Sequence, residues 1–254
     1  MTAFTKPTAS PSPASDTPGQ HSSATAACGP LRLRLLTAGL LAAAGGLLLP
    51  VDLPVAGWFR EHDLPGDLAR LVDFSEVFAH GLGAAAVLGV AVALDPSLRR
   101  AGARWDLARL CIAAFSGGLI VDVIKGIVTR VRPRSADLTS LASAFGTFGD
   151  QAAAAGVPLA KGPLEKSVEL MSFPSGHAAV AAGMATALAW KYPHGLPVFA
   201  AVAACAAFQR VVTLAHYPSD VACGAAIGIA AAAICLGRSQ PTAAAARPRE
   251  MAEA

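Results

Sequence analysis

Charged side chains are scarce in this chain. Lys, Arg, Asp and Glu together make up 15% of its 254 residues, against about 25% in ordinary soluble domains. Apolar residues make up 54%, which excludes a chain that is disordered throughout. The formal net charge is only +3 and the basic residues form no long run, so no nucleic-acid partner is expected. A membrane protein or an unusually apolar helical protein remains.

Metal-binding and redox patterns are also missing from the sequence. The five cysteines form no CxxC pair, so neither a zinc site nor a redox motif is expected. Four of them lie inside apolar stretches, where a free cysteine behaves as a small buried side chain. The sequence has no Asp/Glu cluster at metal-ligand spacing beside its candidate site residues. We therefore expect no metal and no other cofactor.

Long apolar stretches are what the sequence does contain. There are six of them, 14 to 22 residues long: Leu35–Val51, Phe74–Leu94, Leu107–Val128, His177–Trp190, Leu196–Leu214 and Val221–Leu236. A membrane-spanning helix needs about 20 residues, and the abundant Ala and Gly suit close helix packing in lipid. The sequence thus predicts an all-α fold, a polytopic membrane helix bundle with six transmembrane helices. A soluble buried bundle is the alternative, but the stretches lack the polar face that it would need.

The two ends of the chain differ from this core. Residues 1–30 are rich in Thr, Ser, Pro and Ala and are predicted to be a disordered tail. A six-span domain follows over residues 31–238, and residues 239–254 are predicted to be a second disordered tail. The first apolar stretch could instead belong to a cleaved signal peptide, but Pro50 and Pro54 interrupt the place of a cleavage site, so a retained anchor is favoured.

The basic loops predict the orientation of the chain, because cytoplasmic loops are enriched in Lys and Arg. Arg32, Arg99 and Lys191 then lie on the cytoplasmic side of an inner membrane together with the basic C-terminal tail. The connections at 52–73, 129–173 and 215–220 face the periplasm or exterior. The 129–173 connection nevertheless carries Arg130, Arg132 and Arg134, so these residues need another reason to be there.

Three cations are candidates for binding a multiply charged anion. Lys125 lies near the end of an apolar stretch, where a cation is expensive, and Arg132 follows about two helical turns later. If the helix continued that far, both side chains would lie on one face. Arg210 lies inside the fifth apolar stretch, and an arginine can bind phosphate oxygens in a bidentate manner. Contact with lipid headgroups is the alternative for Lys125 and Arg132.

The segment Ser172-Phe-Pro-Ser-Gly-His177 opens the fourth stretch. Ser172 suits an N-cap and Pro174 suits a first helical turn. The N–H groups of Ser175, Gly176 and His177 would then be free at a helix N-terminus, which favours an anion. A plain helix start is the alternative interpretation.

His216 and Asp220 are four residues apart. A carboxylate at that spacing can hold one imidazole nitrogen and leave the other free as a nucleophile. His177 could then serve as general acid on a leaving oxygen. All three clusters lie at the outer face in the predicted topology, so they could form one outward-facing active site.

These residues form a pattern that resembles the three-part signature of the type 2 phosphatidic acid phosphatase family, whose members share their site with acid phosphatases and vanadium haloperoxidases. The matching parts are Lys125-x6-Arg132-Pro133, Pro174-Ser175-Gly176-His177 and Arg210-x5-His216-x3-Asp220. The resemblance covers about residues 31–238, since membrane members of the family have a six-span core. The chain departs from the signature at Gln209, where the family usually has Ser.

The resemblance implies a role for each matching residue. His216 is the nucleophile and forms a phosphohistidine, Asp220 orients it, and His177 protonates the leaving group and later activates water. The phosphoryl oxygens are held by the remaining matching residues: Lys125, Arg132, Ser175, Gly176 and Arg210. The implied activity is metal-independent hydrolysis of a lipid phosphate or lipid diphosphate in the bilayer.

Several points stay open at the level of sequence. The lipid could be phosphatidic acid, phosphatidylglycerol phosphate, undecaprenyl diphosphate or a lipid A phosphate. A lipid-linked phosphotransferase, a transporter or binding protein for a phosphate ligand, and a soluble enzyme with the same motif are the alternatives. Glu76 and His80 either line a substrate entry or bond each other, and Asp122 is a candidate partner of Lys125.

Overall fold

The computed structural model describes residues 22–139, 141–149, 160–162, 165–166 and 168–237. Within these ranges the chain is mainly helical, which confirms the predicted helical fold. The α-helices are α1 Ser22–Leu48, α2 Asp52–Glu61, α3 Gly66–Phe74, α4 Glu76–Ala79, α5 Gly81–Leu94, α6 Pro96–Arg99, α7 Arg104–Ile127, α8 Gly176–Lys191, α9 Leu196–Val212 and α10 Pro218–Leu236. A small antiparallel hairpin pairs β1, Ala160–Gly162, with β2, Glu165–Lys166.

The predicted terminal tails are only partly within the described residues. Helix α1 begins at Ser22, inside the segment 1–30 that the composition assigns to a tail. Residues 1–21 of that segment and the predicted tail 239–254 lie outside the described residues.

Four described segments are long and apolar enough to cross a membrane. They are Pro30–Glu61, Arg104–Ile127, Pro193–Val212 and Pro218–Leu236. The run Gly66–Ala79 together with Gly81–Leu94 adds a fifth crossing if the bent pair is one span. The chain is therefore a helical protein with four to five spans by this measure, against the six expected from sequence.

The second predicted span, Phe74–Leu94, is not one straight helix. The chain bends by 76° between Ala79 and Gly81, where His80 adopts an extended backbone conformation. Helix α3 also ends just before Ser75, whose hydroxyl donates to the carbonyl of Val72 at 2.5 Å. Such local bonds compete with the helical ladder. The break places α4 beside α8 and α9.

The fourth predicted span corresponds to α8, which has 16 residues. At 1.5 Å per residue it is about 24 Å long, less than the roughly 30 Å of a bilayer core. Helix α8 packs against α7, α9 and α10, and most of its residues are buried. Because protein surrounds it, its length does not have to match the lipid.

Small residues allow α7, α8 and α10 to approach closely. A Cβ atom on Gly228 of α10 would overlap the backbone of Ala179, and one on Gly117 of α7 would overlap Gly228. A Cβ on Gly183 of α8 would lie 3.0 Å from the carbonyl oxygen of Ala113. Close backbone packing of this kind holds helices together in lipid, and it brings three helix ends to one place.

Candidate active site

The candidate site lies where the end of α7, the start of α8, the end of α9 and the first turn of α10 meet. The segment after α7 runs between two other loops, because the N–H of Arg130 donates to the carbonyl of Leu170 at 3.0 Å and the N–H of Val131 donates to that of Thr147 at 2.9 Å. The condition under which Lys125 and Arg132 would share one helix face is not met, since α7 ends at Ile127. Arg132 therefore approaches the site from a loop.

His216 is buried in the loop between α9 and α10. Its Nδ1 lies 2.6 Å from the backbone carbonyl oxygen of Ser172. A carbonyl oxygen can only accept, so Nδ1 carries the proton and Nε2 keeps its lone pair. The ring is thus held in the form that can attack an electrophile through Nε2.

The expected bond from Asp220 to His216 is replaced by an indirect contact. The closest approach is 3.8 Å, between Asp220 Oδ2 and His216 Nδ1, which is longer than a hydrogen bond. Asp220 instead accepts from the Ser172 hydroxyl at 2.6 Å and from the N–H of Tyr217 at 3.0 Å. Ser172 therefore links the two residues, with its hydroxyl on Asp220 and its carbonyl on His216.

Burial lowers the pKa of His216 to about 4, although Asp220 opposes this effect. Lys125 and Arg132 also contribute, because their positive charges disfavour a charged imidazole. At neutral pH the ring is therefore uncharged, as a nucleophile must be.

Arg130, which the sequence analysis does not assign to the site, is fully buried beneath it. Its guanidinium forms ion pairs with Asp220 and, at 2.7 Å, with Asp52. It also donates to Ser219 Oγ at 2.8 Å and to Thr147 Oγ1 at 2.9 Å.

Two aromatic rings and a further hydrogen bond to Asp52 also belong to this buried network. The guanidinium carbon of Arg130 lies 4.2 Å from the ring centre of Tyr217 and 4.4 Å from that of Phe148, distances at which rings attract cations. Asp52 also accepts from the N–H of Ser219 at 3.0 Å. The network thus holds the Asp220 carboxylate in place through Arg130.

The start of α8 differs from the expected one. Ser175, not Ser172, is the N-cap, and its hydroxyl accepts from the N–H of Ala178 at 3.4 Å. The N–H of Ser175 is not free, since it donates to the carbonyl of Asp220 at 3.0 Å. Gly176 faces α7, because a Cβ at this position would lie 3.5 Å from Lys125 Nζ. The Lys125 ammonium therefore lies at the N-terminal end of α8.

Arg132 is half-buried and its Nε donates to the carbonyl of Val168 at 2.9 Å. The adjacent Arg134 forms a bidentate pair with Glu169 at 2.5 and 2.9 Å. These bonds, with one from Ser135, lower the pKa of Glu169 to about 2. The pair ties the two loops together and keeps Arg132 at the edge of the site.

Arg210 and His177 share one acidic neighbour, Glu76. Arg210 Nη1 lies 2.8 Å and His177 Nε2 lies 3.6 Å from Glu76 Oε1. The His80 ring lies 6.1 Å from the His177 ring. The Glu76 carboxylate thus bonds Arg210 of the candidate site, whereas the sequence suggested a bond between Glu76 and His80 or a place at a substrate entry.

Asp122 is exposed and lies about one helical turn before Lys125 on α7. Within the described parts of the chain there is no group of three or more His, Cys, Asp or Glu side chains that could hold a metal ion.

The residues that sequence reasoning missed left weak signals. Arg130 belongs to the basic group that breaks the charge rule on the predicted outer loop, and Asp52 follows the first apolar stretch directly. Each signal marks a charge in an unfavourable position. The partner of each charge, however, is far away in the sequence, so the pattern did not identify the pair.

The fold and the site define a helical membrane protein in which a neutral histidine lies among cations at the helix ends. The model of the PAP2 superfamily matches residues 106–241, a range that includes all the candidate site residues named from sequence. The chain belongs to the PAP2 superfamily, which confirms the resemblance.

Two curated relatives carry a more specific name. The chain is 30% identical over 124 residues to a protein named lipid A 1-phosphatase from Rhizobium johnstonii, covering 49% of this chain and 44% of that protein. It is 31% identical over 124 residues to the lipid A 1-phosphatase of Rhizobium etli, covering 49% and 46%. The matched region thus spans less than half the length of these relatives. No solved structure matches the chain significantly.

Proposed function

We propose that this protein is an integral membrane phosphatase that hydrolyses a lipid phosphate or lipid diphosphate through a phosphohistidine intermediate. The observation that carries the proposal is the bond from His216 Nδ1 to the Ser172 carbonyl, because it leaves Nε2 as a neutral nucleophile. Membership of the PAP2 superfamily and the names of the two relatives support the same class of reaction.

The first step transfers the phosphoryl group to the enzyme. His216 Nε2 attacks phosphorus, an N–P bond forms, and the bond from phosphorus to the leaving oxygen breaks. His177 gives its proton to that oxygen, so the lipid leaves as an alcohol, or as a monophosphate when the substrate is a diphosphate.

The second step releases phosphate. His177, now neutral, takes a proton from a water molecule while the water oxygen attacks phosphorus. The N–P bond breaks, the electron pair returns to Nε2, and inorganic phosphate leaves. Both histidines end in their starting forms, as a catalytic cycle requires.

The cations of the site stabilise the charge on the transferring group. Lys125, Arg132 and Arg210 surround the histidines, and phosphoryl transfer depends mainly on positioning and on such charges. Ser175 and Gly176 at the start of α8 are proposed to assist in binding the phosphoryl oxygens. We therefore propose a reaction without a metal ion.

The substrate class follows from the membrane location and from the relatives. Because both relatives are named for lipid A and its 1-phosphate, a lipid A phosphate is the first candidate. Phosphatidic acid, phosphatidylglycerol phosphate and undecaprenyl diphosphate present the same terminal phosphate and are the others.

We also propose six crossings of an inner membrane, with the site toward the periplasm or exterior. Four segments are long and apolar enough to cross on their own, and the bent segment α3–α5 and the short helix α8 supply the other two crossings. The surrounding helices that bury α8 support this assignment, and the basic loops support the orientation.

A phosphate-release assay on the purified protein tests the proposal. The four lipids are offered in detergent with and without EDTA, for the wild type and for His216→Ala. We expect release from at least one lipid that EDTA does not reduce, and a loss of about 10⁴-fold or more in His216→Ala, as for other covalent nucleophiles.

His194→Ala is the matched control, because His194 is exposed in the turn between α8 and α9 and should leave release unchanged. Unchanged release in His216→Ala would contradict the mechanism, and no release from any lipid by the wild type would contradict the function. Transfer of the phosphoryl group to an added alcohol would identify a phosphotransferase.

A further inference from the structure

We propose that Glu76 is a positioning residue for His177 and Arg210, and that Gln209 holds its carboxylate in place. The inference rests on the proposed function for the roles of those two residues. Glu76 lies on α4, outside the three parts of the sequence signature. Its Oε1 atom is the point at which the side chains from α8 and α9 meet, at 3.6 Å from His177 Nε2 and 2.8 Å from Arg210 Nη1.

The surroundings of His177 explain why a carboxylate is useful there. Arg210 of α9 and Lys125 of α7 place positive charges near the His177 ring, and two further imidazoles, His216 of the following loop and His80 at the bend before α5, interact with it from other elements. Positive neighbours disfavour a protonated imidazole, and an opposite charge within about 4–6 Å favours it. Glu76 thus stabilises the form of His177 that donates a proton to the leaving oxygen.

Glu76 also orients Arg210. The Arg210 side chain is 12% exposed, and a buried guanidinium needs an acceptor to remain in one conformation. The bond to Glu76, with a longer one to Thr213 Oγ1 at 3.3 Å, holds it beside His177 before substrate arrives. Little reorganisation is then needed when a phosphate binds.

Gln209 gives this arrangement its support. Its side chain is buried and its Nε2 donates to Glu76 Oε2 at 3.3 Å and to Asp73 Oδ1 at 3.4 Å. A serine side chain, which the family signature usually has at this point, is too short to span the same gap. The departure from the signature at Gln209 therefore matches the acidic residues on α3 and α4, which a hydroxyl would not reach.

Substrates with different leaving groups distinguish a positioning role of Glu76 from a merely structural one. An alkyl phosphate needs a proton donor for its leaving oxygen, whereas an aryl phosphate such as p-nitrophenyl phosphate needs little help. We therefore compare kcat/KM, which reports the phosphorylation step, for a lipid phosphate and for p-nitrophenyl phosphate in Glu76→Gln, Glu76→Asp and the wild type.

We expect Glu76→Gln to lower kcat/KM about 10- to 100-fold on the lipid phosphate, part of the 10²- to 10⁴-fold effect of a general acid. The loss on the aryl phosphate should be smaller, about 3-fold, because only the orientation of Arg210 matters for that substrate. Glu76→Asp should recover part of the loss. Gln209→Ser should also lower kcat/KM more on the lipid phosphate than on the aryl phosphate, but by a smaller factor than Glu76→Gln does. The matched control is Asp67→Asn, which removes an exposed carboxylate paired with Arg70 on α3 and should change neither value.

A second measurement is independent of turnover. The ring ¹H–¹⁵N signals of His177, assigned with His177→Ala in the substrate-free protein, should change in Glu76→Gln and stay in place in Asp67→Asn. This change is expected even if the wild type hydrolyses none of the lipids, so a failure of the proposed function would be recognised separately.

Three outcomes would overturn the inference: equal losses on both substrates, a gain in kcat/KM in Glu76→Gln, or unaltered His177 signals. Equal losses would mean a structural role. A gain would mean that Glu76 competes with the substrate phosphate for Arg210.

Discussion

The imidazole of His216 is held by a backbone carbonyl and not directly by a carboxylate. A carbonyl oxygen does not titrate, so the proton stays on Nδ1 over the whole range in which the ring is neutral. Asp220 contributes through its charge and through the Ser172 hydroxyl. Asp220→Asn should therefore leave the proton on Nδ1, whereas a direct bond from Asp220 to His216, as the four-residue spacing suggested, would make the tautomer depend on the carboxylate.

The low pKa of His216, about 4 against an ordinary 6.5, predicts an acid-tolerant enzyme. The neutral ring that the proposed mechanism needs is present above the pKa and is lost as the pH falls through it. We expect kcat/KM for an aryl phosphate, whose leaving oxygen needs little help from the His177 proton, to hold between pH 7 and 5.5 after correction for the ionisation of the substrate, and to fall by half near pH 4. A pH series on the purified protein measures this, and an acid limb near 6.5 would contradict it.

Individual candidate residues can be recognised from the sequence where the chemistry that they suggest is local in sequence. Lys125, His177, Arg210 and His216 each stand out as polar residues at the ends of apolar stretches, and the fold gathers them at one end of the bundle. The pairing of Asp52 with Arg130 joins positions 78 residues apart. Spacing rules for one helix cannot find a contact of that kind.

Helix ends set the geometry of the site. The predicted third, fifth and sixth stretches agree closely with α7, α9 and α10, because long apolar runs with few charges mark the position of a span. The start of α8 was placed wrongly by three residues, since both Ser172 and Ser175 are suitable caps. Only the tertiary bonds of Ser172 to Asp220 and His216 decide between them.

The contact between α8 and α10 predicts a sensitive glycine. A Cβ atom on Gly224 would overlap the carbonyl of Ser175, so Gly224→Ala must push α10 away from the start of α8. We expect a loss of activity of at least about 10-fold and a lower Tm, because overpacking costs about 1–3 kcal/mol. Lipid phosphatase activity and thermal unfolding in detergent measure the two effects.

Gly89→Ala on α5 is the matched control for this prediction. No atom of a neighbouring element in the described part of the chain lies within 4 Å of a Cβ placed on Gly89. Alanine in a helix is more favourable than glycine by about 1 kcal/mol. Activity should be unchanged and Tm equal or slightly higher. A fully active Gly224→Ala would show that the α8–α10 contact is not needed for the site.

The arrangement of the chain in the membrane was the hardest property to predict. Hydropathy alone indicated six similar spans, but α3–α5 is bent and α8 is short. The bend lies at α4, which packs against α8 and α9, and α8 is itself enclosed by other helices. Hydropathy cannot distinguish a neighbouring helix from lipid. The position of the polar clusters at one end of the bundle followed correctly from their places at the ends of the stretches.

The proposed orientation predicts that both ends of the protein lie in the cytoplasm. A green fluorescent protein fused to the C-terminus should fluoresce, and an alkaline phosphatase fused there should be inactive. The same pair of reporters at the N-terminus should behave alike, because an even number of crossings returns the chain to one side. An active alkaline phosphatase at either end would contradict the orientation.

The Asp52–Arg130–Asp220 network has a consequence for how the protein is assembled. A chain is made from its N-terminus, so Asp52 in α2 and Arg130 after α7 are present before Asp220 in α10. Until α10 inserts, the guanidinium lacks one of its two carboxylates, and an incompletely paired buried charge is strongly unfavourable. The charge of Arg130 is fully paired only when α10 is in place, and His216, the proposed nucleophile just before α10, is positioned by the same step. We therefore expect insertion of α10 to complete the candidate site, so that a chain that has not inserted fully should be inactive.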